Sequence, residues 1–286
     1  VGVEEMGGEA MSTQNALFDA QGPRAKRLTR VFNIIGALVI AGIILFVLVR
    51  LERQDQLTWD RWAFLFTGDA WAHLFLPGLW GTLKAAFLAV VTSVVFGLVF
   101  GMGRLSPIGP IRWVCTVVVE FLRAVPVLIM MIFFWLWLGH TSLINPNHLP
   151  FFAVVLGLTL YNGSVIAELV RSGVHQLPKG QSEAGLSLGL SSGQVLRMIQ
   201  LPQALVAMMP ALLSQFVVIL KDTALGYIIT YGELLDAAKR LGAAHSMLQA
   251  LIVAALLFIV INALLTTLAQ WLSRYLSHRV GVRAKV

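Results

Sequence analysis

Lys221 and Asp222 stand side by side, followed by Thr223, inside an otherwise apolar run, and they are the first residues whose types could do chemistry. A charged side chain at the centre of a bilayer costs about 3 kcal/mol or more, so each one found there is a functional candidate. Neighbours on a helix point about 100° apart, so Lys221 and Asp222 share a sheltered partner only if the helix unwinds locally. Irregular backbone at membrane depth is tolerated where it lines a cavity or is buried in protein. Two further groups have the same character. Glu120 and Arg123 are spaced to pair on one helix face, with Pro126 placed to kink the chain just beyond them. Tyr161, Asn162 and Ser164 lie mid-run, with Glu168 and Arg171 at its end, and Asn162 and Ser164 suit hydrogen bonds between helices. Lys84 completes the set near the end of its own apolar run, where its stem can carry the ammonium to the surface.

None of these groups makes an enzyme. The chain has no Gly-x-x-x-x-Gly-Lys-[Ser/Thr] cradle for a nucleotide and no His-Glu-x-x-His pair among its six histidines. One cysteine, Cys115, allows no internal disulfide, and no Cys/His cluster has zinc spacing. Any work this chain does with ATP must therefore be driven from another chain.

The elements that position these residues are membrane helices. Of the 286 residues 58% are hydrophobic and only 12% charged, about half the charged share of an ordinary soluble domain. The apolar residues fall into runs of about twenty, the length a helix needs to cross roughly 30 Å of hydrocarbon. Stretches such as 253–265, with Asn262 as the one polar residue, are apolar on every side rather than alternating, which argues against a β-barrel. The expected fold is an all-α polytopic bundle with six spans near 31–49, 78–102, 113–138, 151–170, 203–225 and 247–273. The span 113–138 is longer than the bilayer is thick, which brings Glu120 and Arg123 toward one surface and leaves a pathway role and an interfacial ion pair both open. The first run exceeds a signal-peptide core and is followed by no cleavage pattern, so it reads as a retained span.

With the N-terminus in the cytoplasm, thirteen Lys and Arg lie inside and five outside, so both ends are expected there. Residues 1–30 read as a flexible cytoplasmic tail, 31–275 as the membrane domain and 276–286 as a basic tail. The net charge of +7 sits in tails and short connections, as orientation of a membrane protein requires, and not on a face for nucleic acid. Between spans, 51–76 carries Trp59, Trp62 and Trp71 among aspartates, which suits the headgroup level.

The connection at 172–202 is much longer than a hairpin between adjacent helices needs. A short helix over 181–188 is expected to end at Gly189, a residue free to adopt the left-handed C-cap conformation. A second amphipathic stretch, 192–201, has Ser192 as its N-cap, and Pro202 ends it. This segment resembles the cytoplasmic signature of binding-protein-dependent ABC importer permeases: Glu-Ala-Ala, three residues, Gly, nine residues, then Ile-x-Leu-Pro. Glu183, Ala184, Gly189, Ile199, Leu201 and Pro202 match at that spacing, with Gly185 in place of the second Ala. Gly185 costs the helix about 1 kcal/mol relative to alanine.

Phe121, Arg123 and Pro126, the run from Tyr161 to Gln181, and Leu220–Ile228 resemble further segments of the polar amino-acid permeases in that group, with Ala224 in place of a serine. The resemblance implies that Glu183, Ala184, Gly185, Gly189, Ile199, Leu201 and Pro202 form a coupling helix docking into a separate ATPase. It implies a pathway role for Glu120, Arg123, Glu168, Lys221, Asp222 and Thr223. It also implies partners: a cytoplasmic ATPase dimer that binds ATP and Mg, a second permease subunit, identical or related, an extracytoplasmic substrate-binding protein, and an amino acid as cargo. Lys84, Arg123 and Lys221 together would suit an acidic amino acid such as glutamate or aspartate. An ion-coupled secondary transporter is the alternative, although the inverted internal repeat usual in such carriers is not evident.

Overall fold

The computed structural model describes the backbone of residues 23–141 and 144–280 and the side chains of 26–141 and 144–271. The tail expectations for 1–22 and 281–286 lie outside the described residues. The chain divides into two units, one up to Trp59 and one from Asp60 onward. In the first, α1 (Pro23–Arg53) begins eight residues before the apolar run, so the basic residues expected in a flexible tail are in its first turns. It is a single helix, apolar all round, with exposed Leu38, Ile40, Leu45 and Phe46, as expected of a helix whose solvent is lipid.

The second unit opens with short helical turns, α2 (Asp60–Ala63) and α3 (Gly68–Ala70), which lead through a π turn into α4 (Leu76–Arg104). This part of the tryptophan-rich connection does more than lie at the headgroups. It buries Phe64, Leu65 and Phe75 against Leu234, Ala238 and Leu241, and Trp71 Nε1 donates to the Leu65 carbonyl at 2.7 Å. There follow α5 (Gly109–Ala124), α6 (Val127–Thr141), α7 (Leu149–His175), α8 (Lys179–Ser187), α9 (Ser192–Val195), α10 (Leu201–Ala207), α11 (Met209–Asp222), α12 (Leu234–Ala244) and α13 (Met247–Val280). The described residues contain no strand, in line with the all-α expectation.

The core is the parallel pair α4 and α7, whose contacts advance together from Thr92 with Thr159 to Gly101 with Val170. Every fourth residue of α4 from Gly81 to Gly101 is small and buried: Gly81, Ala85, Ala89, Ser93, Gly97 and Gly101. That stripe lets another backbone approach closely, which is how helices associate where lipid supplies no hydrophobic drive. At Gly97 an added Cβ would strike Ile166, and at Gly101 it would strike Val170, both on α7. Polar pairs fix the register. Thr92 and Thr159 share a hydrogen bond, Ser93 Oγ donates to the Leu158 carbonyl, and Gln215 of α11 donates to Asn162 Oδ1 at 2.6 Å. Asn162 therefore takes the interhelical role expected of it, whereas Ser164 Oγ donates within its own helix to Tyr161 O.

Five helical segments are long and apolar enough to cross a membrane among the described residues. The sixth expected span is not a straight helix. α5 and α6 meet at 99°, because Pro126 lacks the N–H that would continue the helix and restricts Val125, which is extended at φ −86, ψ 126. Only α6 runs along α7, and α5 crosses the end of α4. The fifth span is also broken: its α-helix stops at Asp222, and Thr223–Ile229 continues as a 3-10 turn. The unwinding demanded by adjacent Lys221 and Asp222 is thus present, one residue later.

Candidate functional site

The lever is built by local rules. α8 ends in a full Schellman motif, with Gly189 at φ +81, its N–H donating to Leu186 O and the Leu190 N–H donating to Gly185 O. Those two bonds need a left-handed residue between them, which only glycine supplies without strain. The chain re-enters a helix at Ser191, which forms a reciprocal capping box with Gln194. The cap is thus Ser191, one residue before the serine expected from sequence, because Gln194 completes a box only with a serine three positions earlier.

Pro202 does not end this helix as expected. A π turn over Leu196–Gln200 widens the backbone ahead of it, removing the clash between the proline ring and the carbonyl four residues back, and the helix continues as α10. Gly185 has a packing reason: a Cβ there would press on Val195 and Ile199, so glycine brings α8 down onto the return arm. Glu183 and Ala184 are exposed, and Leu186, Leu188 and Met198 are 48%, 81% and 67% exposed, an apolar tip beyond the bundle. The return arm is keyed to α7 at Gly173, where the Met208 side chain fills the space of a Cβ.

Glu120, Arg123 and Glu168 meet at Arg104, a residue that no spacing in the sequence singles out. Arg104 has a side chain just 5% exposed and bridges Glu120 Oε1 at 2.8 Å and Glu168 Oε2 at 2.7 Å. Arg123 lies 3.8 Å from Glu120 and 3.6 Å from Glu168, and Arg171 pairs with Glu168 at 2.6 Å. Three guanidiniums and two carboxylates thus tie α4, α5 and α7 together next to the root of the lever. Their charges are spent on one another at the helix ends rather than displayed along a mid-membrane route.

Lys221, Asp222 and Thr223 diverge. Thr223 is buried and donates to Leu220 O, and Asp222 is half-buried. Lys221 reaches a cleft of about 550 Å³ between α11 and α13, with Ser214, Thr266 and Gln270 as its polar lining and no carboxylate. Lys84 lines a second cleft of about 640 Å³, with Trp80, Phe87, Phe216 and Leu265, its ammonium 4.6 Å from the Phe151 ring centroid. These are separate cavities, and Arg123 lies in neither, so the three cations do not form one site.

At the opposite end of the bundle from the lever is a latch the sequence reading missed. Thr230, a β-branched residue, is held left-handed at φ +61, which costs about 1–2 kcal/mol. The next residues offset that strain: Tyr231 Oη donates to Gly81 O at 2.7 Å, and the Leu234 N–H donates to Thr82 Oγ1 at 3.1 Å. Glu233 is wholly buried and caps α12, accepting from the backbone N–H groups of Leu235 and Asp236. Burial pushes its carboxyl up from the usual 4.5 to about 7, against the pull of those two donors, with Asp236 adding to the rise. Burial also raises the Tyr231 phenol.

A carboxyl whose folded value is raised holds its proton in the fold when the unfolded chain has lost it. Its contribution to stability is complete below about pH 4.5 and is lost as pH rises through about 7, a change of roughly 3 kcal/mol. We expect thermal stability in nanodiscs to fall across that window and Glu233→Gln to flatten the profile; an unchanged slope in the variant would assign the dependence to other groups.

A small-residue helix pair, a broken span with a lysine-lined cleft and a lever held outside the bundle together define a polytopic α-helical transport permease. Residues 93–280 match the family described as binding-protein-dependent transport system inner membrane component, and the chain belongs to that family. It is similar to the glutamate transport system permease protein GluD of Corynebacterium glutamicum, 47% identical over 227 residues that cover 79% of this chain and 83% of that protein. The glutamate/aspartate import permease protein GltK of Escherichia coli is 28% identical over 199 residues, 68% of this chain and 89% of that protein. Among solved structures, an amino acid ABC transporter crystallised with histidines aligns with a TM-score of 0.65 and 29% identity, covering 72% of this chain and 95% of that one. The MetNI methionine ABC transporter, inward facing, aligns with a TM-score of 0.62 at 20% identity, covering 73% and 99%, a likeness of fold.

Proposed function

We propose that this chain is the membrane-spanning subunit of an ATP-driven importer of acidic amino acids, with α8 as the part that a separate ATPase moves. The supporting observation is the lever itself: a nine-residue helix closed by a left-handed glycine, with Leu186, Leu188 and Met198 exposed at its tip. A rigid apolar end outside the bundle has no use inside this chain and suits a cleft on a partner. The ATPase, as a dimer, holds the ATP and Mg, and this chain supplies none of that chemistry. A second permease, identical or related, completes the pathway, and a binding protein on the far side delivers the cargo. The lever and both termini face the cytoplasm, the arrangement the Lys and Arg distribution favours.

In this reading ATP-driven closure of the ATPase moves α8, α7 and α10 transmit the displacement through Gly173 and Met208, and the bundle alternates between outward and inward openings. Glu120, Arg123 and Glu168 position α5 and α7 during that cycle, and Lys221 faces the cargo. Support for an acidic cargo comes from the glutamate and aspartate named for the two relatives and from Lys221 and Lys84, each lining a cleft that contains no carboxylate. An ion-coupled secondary carrier is not favoured, since the family is that of binding-protein-dependent transport systems and the solved neighbours are ABC transporters.

The test is uptake into vesicles holding the permease with its co-purified ATPase and binding protein. Glutamate and aspartate should enter only with ATP, and Lys221→Met should slow them about tenfold or more, the effect of removing a charge-assisted contact of about 1.5–3 kcal/mol. Preferential uptake of lysine or arginine, or an unaffected Lys221→Met variant, would discard the acidic-cargo assignment. Purification without any ATPase would discard the importer.

A further inference from the structure

The geometry points to a binding site for the headgroup of an anionic phospholipid, formed by α5 and the cleft between its first turn and the start of α8. Three contacts fix how α5 lies. Glu120 meets Arg104, Cys115 fills the space beside Gly103, and Arg112 Nη1 donates to Ser106 O at 3.3 Å. These positions span about 12 Å of α5 at 1.5 Å per residue but only residues 103–106, the last turn of α4 and the connection just after it. Since α4 crosses the membrane, α5 lies across its end, close to the plane of the bilayer, consistent with its 99° angle to α6.

Such a helix must divide its faces, and α5 does. Val119 is buried against the bundle, and Arg112, Thr116, Glu120 and Arg123 share a polar side. Ile111, Val114, Val117 and Phe121, spaced three, three and four residues apart, are 45%, 50%, 48% and 65% exposed. An in-plane helix with one apolar exposed strip and one charged side matches the boundary between acyl chains and headgroups, and exposed Trp113 beside the strip favours the same depth.

Next to the polar side opens a cleft of about 480 Å³, into which Arg112 projects from α5, Lys179 from α8 and His175 from the end of α7. Ser182 and Ser192 add hydroxyls, and Glu183 is the one carboxylate in the lining. Among the described residues, neither Arg112 nor Lys179 has an ion-pair partner, although the neighbouring cluster around Arg104 at this end of the bundle is laced with them. Two unpaired fixed cations outnumber one carboxylate, so the cleft favours an anion. Its continuity with the apolar strip through Arg112 favours an anion that carries acyl chains over a soluble phosphate or an acidic protein loop. Because Lys179 starts the lever, a headgroup bound here would tie α8 to the membrane surface, and the lipid's charge would set how freely the lever moves. That consequence rests on the proposed function, whereas the binding does not.

The full chain, without an ATPase, is placed in nanodiscs of phosphatidylcholine containing a minority of phosphatidylglycerol, and the lipids it retains on release are weighed by native mass spectrometry. The wild type should retain phosphatidylglycerol over phosphatidylcholine about thirtyfold, each cation contributing about fivefold at an anionic surface. Arg112→Gln with Lys179→Gln should abolish the preference, and Arg112→Lys with Lys179→Arg should keep most of it. Both residues are exposed, so unchanged thermal unfolding of these variants is expected and is checked alongside. A preference that survives the double glutamine variant overturns the site. So does competition by millimolar inorganic phosphate alone, which would mark a soluble-anion site. Failure of the glutamine variant to capture the ATPase in detergent would overturn it as well, by assigning the cleft to the motor. An importer reading that failed would appear in the uptake and co-purification assays and leave lipid retention untouched.

Discussion

Gly189→Glu should leave the chain inserted and the ATPase bound or nearly so, yet lower ATP-driven uptake about tenfold or more. Space is not the reason, since nothing lies within 4 Å of where a Cβ would stand. Conformation is: at φ +81 an L side chain costs about 1–2 kcal/mol, equivalent to roughly tenfold in the population of the correctly closed helix end. If that end opens, the Leu190-to-Gly185 and Gly189-to-Leu186 bonds are lost together, and the tip carrying Leu188 no longer has one position. A carboxylate beside an apolar tip then adds desolvation on docking. The comparison that separates strain from bulk is Gly189→Asn. Asparagine tolerates the left-handed region, so it should retain most of the coupling despite a larger side chain than alanine, whereas Gly189→Ala should lose several-fold. Reconstituted uptake measured beside ATP hydrolysis checks all three, and a glutamate variant that transports like the wild type would remove Gly189 from the coupling path.

The lever and the bundle were legible in the sequence for the same physical reason: both are written in local rules. Runs of about twenty apolar residues announce spans, and a glycine after a short helix announces a left-handed cap. The serine and proline of the lever were harder to place by one step. Ser191 and Ser192 are equivalent as single caps until Gln194 is set three residues on, and whether a proline ends or widens a helix depends on the turn before it, which Pro202 alone does not reveal.

Interactions between distant segments were not legible. Glu120 with Arg123 could be read from a spacing of three, but Arg104 joins them from sixteen residues away and Glu168 from the far side of α7. Glu233 sits before a good amphipathic helix and looks like a surface acid, and only the approach of Gly78 and Gly81 to its backbone seals it in. In the same way, the length of 113–138 hinted that Glu120 and Arg123 lie near a surface, but not that the chain turns through a right angle there.

Arg104→Met should be the most destabilising single change in this region, by about 2–4 kcal/mol. Its guanidinium is 5% exposed and joins carboxylates on two helices, so its loss leaves those carboxylates short of a counter-charge in a place where water compensates poorly. Breaking one side of a buried pair costs about 3–5 kcal/mol. The lower range fits here because Glu120 is half exposed and because Arg123 and Arg171 still serve Glu168. The sign of the net charge offers the control. The five residues carry one excess positive charge, Arg104→Met makes the cluster neutral, and adding Glu120→Gln restores the excess while removing the less well-served carboxylate. The double variant should therefore recover at least half of the loss, with a coupling energy of about 1 kcal/mol or more in the cycle. Thermal midpoints in nanodiscs measure it, and equal midpoints for the single and double variants would mean that Arg104 acts through packing rather than charge. Transport should follow stability only in part. With Arg104 gone, α5 loses its direct ion pair to α4, so uptake in the double variant should recover less than its midpoint does, because Arg104 and Glu120 together hold α5 across the end of α4 while the lever beside it moves.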